Sequence, residues 1–255
     1  MNLRFAVQIL NNNVGGRRYL VEPHKIVSKE DWLNARKELL AREKMFTQAR
    51  DQLSAQRRNL PWVKVNKEYR FEGPNGTESL SDLFEGRSQL LVYHFMFDPD
   101  WNEGCKSCSF WADNYDGIIV HLNNRDVTMI TISKAPLEKL NAFKKRMGWN
   151  FKWVSSFGSD FNRDYNVSFT AEELEQGKAY YNYKLGTFPA KEAPGISVFY
   201  KNENGDIFHT YSCYARGLDM LNGAYHFLDL APKGRDEHAL TYSMAWLRHH
   251  DRYSD

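Results

Sequence analysis

The chain has 255 residues, 42% of them hydrophobic and 15% aromatic, the composition of a packed globular protein rather than a disordered one. Its 34 basic and 32 acidic residues leave a net charge of +2, which offers no electrostatic case for nucleic acid or an anionic membrane as partner. Three cysteines are too few for a disulfide-stapled secreted scaffold, and no apolar run approaches the length of about 18 residues that a bilayer requires.

Residues 1–27 read as a weakly structured lead-in with an Asn/Gly/Arg-rich centre. Gly15-Gly16-Arg17-Arg18 lacks the Gly-Lys-Ser/Thr ending of a phosphate loop and is given no nucleotide role. No small-residue cleavage site follows Met1–Leu10, so a cytoplasmic protein is expected. Ser28 then caps a long amphipathic helix, in which Trp32, Ala35, Leu39, Phe46, Ala49 and Leu53 recur at spacings of three, four or seven, to about Arg57 before Pro61. At 1.5 Å per residue that helix is roughly 40–45 Å long, longer than a small domain covers. It is expected to pack along the domain or to pair with a second subunit in a homodimer.

Further on, Tyr69-Arg70-Phe71 and the turn Gly73-Pro74-Asn75-Gly76 signal a hairpin, and Ser79–Phe84 a short helix closed by Gly86. Leu90–Phe97, apolar on both faces apart from His94, reads as a central buried strand. Phe110, Tyr115, Ile118, Ile119 and Leu122 are helically spaced, Val127–Ile132 reads as a second buried strand, and Pro136 opens an amphipathic helix through Met147. Strand and helix alternate here, which points to an α/β protein with a parallel sheet. Residues 160–192 read as an insertion. Ala193-Pro194-Gly195 leads into a second hairpin, Ile196–Tyr200 and Ile207–Tyr211, before a final helical pattern at Leu218–Leu228.

The stretch with chemistry in it is Asp98–Trp111. It is a Pro/Gly-marked loop ending in Cys105-Lys106-Ser107-Cys108 at the start of a helical pattern. A thiol delivered to a helix N-terminus gains from free backbone N–H groups, and Lys106 adds a positive charge. Asp98, Asp100 and Glu103 act in the opposite sense wherever they approach the sulfur. Cys108, one turn on, is placed to attack a mixed disulfide at Cys105. A zinc site needs four ligands; Cys213 with His94 or His209 is the alternative way to complete one, but spacing gives it no support. Cys213 and His94 read as core residues, His249-His250 as a surface pair, and Lys144-Lys145-Arg146 as a solvated helix face.

The order of these elements resembles the thioredoxin fold, a central mixed sheet flanked by helices, from Trp62 to about Leu230, with an opening (Tyr69–Gly86) similar to the peroxiredoxin branch. The whole chain resembles a bacterial thioredoxin-like family described as predicted dithiol-disulfide oxidoreductases. The resemblance rests on Tyr93-His94-Phe95-Met96-Phe97, Gly104–Asp113, Arg146-Met147-Gly148-Trp149, Ser155–Asn162 and Met244-Ala245-Trp246. It implies residues 1–60 as a lead-in and helix, 61–230 as a thioredoxin-like domain with the insertion, and 231–255 as an extension. It further implies Cys105 as nucleophile, Cys108 as resolving thiol, and Pro194 as a cis-proline whose backbone binds substrate. No metal or other cofactor is implied, and the partner is a thiol or disulfide substrate. Gly104 stands where thioredoxins carry a stacking Trp before the first cysteine, which leaves Trp101 or Trp111 as candidate substrate-contacting rings. Two alternatives accompany thiol–disulfide exchange: a peroxiredoxin-like peroxidase, although the Pro-x-x-x-Thr-x-x-Cys signature is not met, and a non-catalytic binding module.

Overall fold

The computed structural model describes residues 24–253; the Gly15–Arg18 stretch and the rest of the lead-in before residue 24 lie outside them. The first element, α1 (Lys29–Arg58), begins where expected, with the Ser28 hydroxyl accepting the Asp31 N–H at 3.1 Å. None of its side chains is buried, and Trp32, Leu39, Phe46 and Leu53 are exposed to solvent. Near its end the Arg57 guanidinium lies 5.1 Å from the centre of the Tyr211 ring, a cation–π contact to the body.

The body is built on strands β1 (Val63–Lys64), β2 (Arg70–Gly73), β3 (Gly76–Ser79), β4 (Gln89–His94), β5 (Val127–Ser133) and β6 (Trp153–Ser155). The insertion carries β7 (Ala179–Tyr181) and β8 (Lys184–Gly186), and β9 (Gly195–Lys201) and β10 (Ile207–Tyr214) follow. Eight of these form one sheet in the order β1-β10-β9-β4-β5-β6-β2-β3. β4, β5 and β6 run parallel and the other neighbours antiparallel. The sheet is therefore mixed, as the resemblance implies: the alternation of strand and helix makes its centre parallel, and the tight β2–β3 and β9–β10 turns add strands antiparallel. In the first of them Gly76 sits at φ +100°, a conformation that glycine adopts without strain.

The central strand alternates as its sequence requires. Tyr93 and Phe95 pack on one face with Trp111, Leu140, Phe143 and Trp153. Leu90 and Val92 pack on the other with Phe71, Leu83, Ile132 and Phe161. The first face is covered by α2 (Lys106–Ala112), α3 (Asp116–Asn124), α4 (Leu137–Arg146) and α7 (Gly223–Leu230), the second by a 3-10 turn at Asp82–Phe84 and α5 (Phe161–Asp164). The helical spacing after the cysteines is shared by two helices, since the chain breaks between α2 and α3. Within the insertion, α6 (Ala171–Glu175) and the β7–β8 hairpin build a small third core of Val167, Phe169, Ala179, Ala193 and Tyr214. A parallel β4–β5 pair flanked by an antiparallel β9–β10 hairpin, with a Cys-x-x-Cys helix after β4, is the thioredoxin-like arrangement. Among the described residues no helix is long and apolar enough to cross a membrane.

Candidate active site

β4 delivers the chain to the site. Beyond it Phe95 donates its N–H to the Ile132 carbonyl (2.9 Å) and Ala135 donates to Phe97 (2.8 Å), so the segment stays extended along β5. The loop Asp98–Gly104 turns back, and Cys105 N–H reaches the Met96 carbonyl at 3.1 Å. Cys105 is the N-cap of α2 and half-buried; Cys108 lies one turn on and is buried. Both are thiols in this structure.

Their environments differ in a way that divides their acidity. The neighbouring Cys108 thiol first, then the Ser107 and Cys108 N–H groups and the Ser107 hydroxyl, favour a negative charge on the Cys105 sulfur. Against the opposing effect of burial these draw the Cys105 thiol down to about 7. Burial pushes Cys108 well above its ordinary value, and the neighbouring Cys105 sulfur adds to the effect. The Met96 N–H, 3.4 Å from Cys108 Sγ, works weakly in the other direction. Behind Cys108 stand two buried tyrosines, Tyr93 and Tyr115, with ring centres 5.3 Å apart. Neither hydroxyl has a hydrogen-bond partner of normal geometry, although Tyr93 lies close enough to Cys108 for the two to influence each other's acidity.

The other residues singled out in the sequence separate into two groups. Trp111 is buried at 5% exposure and its indole N–H donates to the Leu218 carbonyl at 2.8 Å, so it serves the core and presents no ring to a substrate. Trp101 is half-buried in the loop, its carbonyl held by Lys139 Nζ at 3.1 Å, and packs on the same core as Cys105. The Ala193–Pro194 bond is trans, as are all peptide bonds among the described residues, correcting the expected cis-proline. Trans is the lower-energy isomer of an X-Pro bond, and here it is compatible with Ala193 N–H bonding to Val167 O (2.8 Å) and Gly195 pairing with His94 and Tyr214. The Pro194 carbonyl is itself engaged: Tyr181, from the insertion, donates its hydroxyl to it at 2.7 Å and accepts the Ala215 N–H at 2.9 Å.

His94 lies on the opposite face of the sheet from the cysteines. Its Nε2 bonds Ser197 Oγ (2.9 Å), and its ring stacks on Tyr165. Burial, with His209 nearby, lowers it to about 3, so it is a neutral core residue. Cys213 is buried and raised by that burial. It lines a groove of about 740 Å³ along β10 with Tyr183, His209 and Tyr211. Among the described residues no group of three His, Cys, Asp or Glu side chains could hold a metal ion.

Two features had no sequence signal. His249, expected at the surface, is buried: its Nε2 bonds the Gly104 carbonyl at 2.9 Å, one residue before Cys105. Arg146, expected on a solvated face, reaches Glu103 (2.9 Å), Asp251 (2.8 and 2.9 Å) and His249 Nδ1 (3.2 Å). The second is Glu192, buried at 1% exposure, which accepts from Ser168 Oγ (2.6 and 2.7 Å) and Asn162 Nδ2 (3.2 Å). Burial raises it to about 7.

Fold and site together define a thioredoxin-fold protein with a paired Cys-x-x-Cys at a helix start. The chain belongs to the family described as "Bacterial protein of unknown function (DUF899)", whose model matches residues 21–253. No curated protein matches it. Among solved structures, a cysteine-to-serine mutant of PrxQ from Xylella fastidiosa is 12% identical, over 65% of this chain and 95% of that one, with a TM-score of 0.41. A cysteine-to-serine mutant of peroxiredoxin Q from Xanthomonas campestris is 13% identical over 62% and 90%, with a TM-score of 0.42. Peroxidoxin BcpB from Mycobacterium tuberculosis is 11% identical over 64% and 93%, with a TM-score of 0.40. At such values these likenesses say nothing of what the chain does.

Proposed function

We propose that the protein is a thiol–disulfide oxidoreductase in which Cys105 is the nucleophile and Cys108 the resolving thiol. The observation that carries this reading is the division of acidity across one helical turn: a half-buried thiol at a helix N-cap drawn down to about 7 beside a buried one held protonated. Only the thiolate attacks a disulfide, and a thiol with a pKa near ambient pH is the best compromise between ionised fraction and nucleophilicity.

The Cys105 thiolate attacks one sulfur of a substrate disulfide, forming a mixed disulfide and releasing the other half as a thiolate. Cys108 then gives its proton to the released substrate thiolate and attacks Cys105 Sγ. The second substrate thiolate leaves, and the protein carries a Cys105–Cys108 disulfide. The substrate disulfide has gained two electrons and the dithiol has lost them. In the dithiol the Tyr93 hydroxyl beside Cys108 has no partner of normal geometry; ionisation of Cys108 would give it an acceptor, a preorganised donor for charge that develops only in the resolving step.

The test is trapping. Incubated with oxidised glutathione, the Cys108→Ser variant accumulates a glutathione adduct on Cys105, identified by mass spectrometry of the Cys105 peptide, whereas Cys105→Ser accumulates none at position 108. An adduct on Cys108 alone, or on neither residue, overturns the assignment.

A further inference from the structure

The peptide between Gly104 and Cys105 is held at both ends. Its N–H donates to the Met96 carbonyl at 3.1 Å, in the segment that continues β4. Its carbonyl accepts from His249 Nε2 at 2.9 Å, in the C-terminal extension 145 residues away. Arg146 Nη2 can only donate, so its 3.2 Å contact to His249 Nδ1 leaves that nitrogen as acceptor and puts the ring proton on Nε2, facing the carbonyl.

The surroundings keep the ring in place. It is 7% exposed and its centre lies 5.2 Å from that of Phe143. The segment around it grips both ends of the Cys-x-x-Cys helix. Arg252 pairs with Glu103 on the N-terminal side (2.9 Å, with a second, shorter contact), and His250 Nδ1 meets Asp113, the residue that closes α2, at 2.7 Å. Asp251 is anchored by two hydrogen bonds from Arg146. The packing around the peptide leaves no slack: a Cβ on Gly104 would lie 2.7 Å from Phe95 Cε1 and 2.9 Å from Phe143 Cε1.

We propose that His249 is a positioning residue for Cys105, fixing through the Gly104 carbonyl the peptide that carries the nucleophile and so the direction of its sulfur. The inference rests on Cys105 being the nucleophile, and it makes the C-terminal extension part of the active site. Without His249 the Gly104 carbonyl loses its donor, one of the two hydrogen bonds that fix the tilt of this peptide, and even a small tilt moves the Cys105 sulfur relative to the Ser107 and Cys108 N–H groups that favour its thiolate. The role belongs to an oriented N–H donor rather than to imidazole as such, so Gln, with a donor and an acceptor at similar reach, replaces it.

The experiment is the pH dependence of Cys105 alkylation by iodoacetamide in the full-length protein, read by mass spectrometry on the Cys105 peptide. Wild type is expected to show a midpoint near 7. His249→Phe, which keeps a ring against Phe143 but loses both hydrogen bonds, is expected to raise the midpoint by about one unit, roughly a tenfold loss of alkylation rate at pH 6. His249→Gln is expected to stay within about twofold of wild type. A folded His249→Phe protein with an unchanged midpoint overturns the inference while leaving Cys105 as nucleophile. If near-UV circular dichroism shows that His249→Phe does not fold, Arg146→Gln decides: the midpoint rises if the inference holds and stays if it fails. A wild-type protein whose Cys105 is unreactive below pH 8 overturns both the nucleophile assignment and this inference.

Discussion

Cys105 owes its acidity first to the Cys108 thiol and only then to backbone donors, so the two cysteines are not independent. Replacing Cys108 by Ala, which removes the S–H donor, is expected to raise the Cys105 alkylation midpoint above 7 even though no charge has changed. A midpoint unmoved in Cys108→Ala would mean that the backbone donors alone set it. Gly104→Ala sets a methyl group against Phe95 and Phe143 at under 3 Å. The expected loss of stability is about 1–3 kcal/mol, as for other overpacked sites, read as a lower denaturant midpoint. Glu192 provides a pH signature apart from the cysteines. Its folded pKa lies above its ordinary value, raised to about 7 by burial. The stability it contributes is therefore complete below its unfolded pKa of 4.5 and lost as pH rises through 7. A shift of that size corresponds to about 3 kcal/mol. Glu192→Gln is expected to flatten the fall in chemical-denaturation stability between pH 5 and pH 8; an unchanged profile would assign the fall to other groups.

At the scale of elements, the legible parts are those whose signal is local. Ser28 with Asp31 marked the start of α1, Gly76 marked the β2–β3 turn, and Pro136 marked α4, the residue preceding Leu137. The alternation of Leu90, Val92, Tyr93 and Phe95 marked a strand covered on both faces. The burial of His249, the Tyr181 bridge across Pro194, and the burial of Trp111 depend on contacts between segments far apart in sequence, and residue types alone carry no trace of them. The cis-proline was implied by resemblance, and resemblance does not carry the isomer of one bond. Helix α1 differs in another way: its stripe of Trp32, Leu39, Phe46 and Leu53 was legible, but these side chains remain exposed. Because α1 buries no side chain, removing residues up to Arg58 is expected to shift the thermal midpoint of the remainder by only a few degrees. A loss larger than about 10 °C would show that the helix supports the body through contacts beyond Arg57 and Tyr211.

At the scale of the whole molecule, the fold brings four separated parts of the chain to one end of the parallel strands. β4 carries the cysteine loop, the insertion places Tyr181 over Pro194, and α4 and the C-terminal segment clamp Glu103 and Gly104. The β4–β5–β6 centre carries the cysteine loop, and the insertion and the C-terminal segment close around it. The proposed function requires Cys105 and Cys108 to cycle between dithiol and disulfide. Its most direct test is a glutathione redox titration with thiol state read by mass spectrometry, using Cys105→Ser and Cys108→Ser as controls. A reversible Cys105–Cys108 disulfide with a potential between roughly −270 and −120 mV, the span of known exchange proteins, is expected. Absence of that disulfide at every glutathione ratio would contradict it.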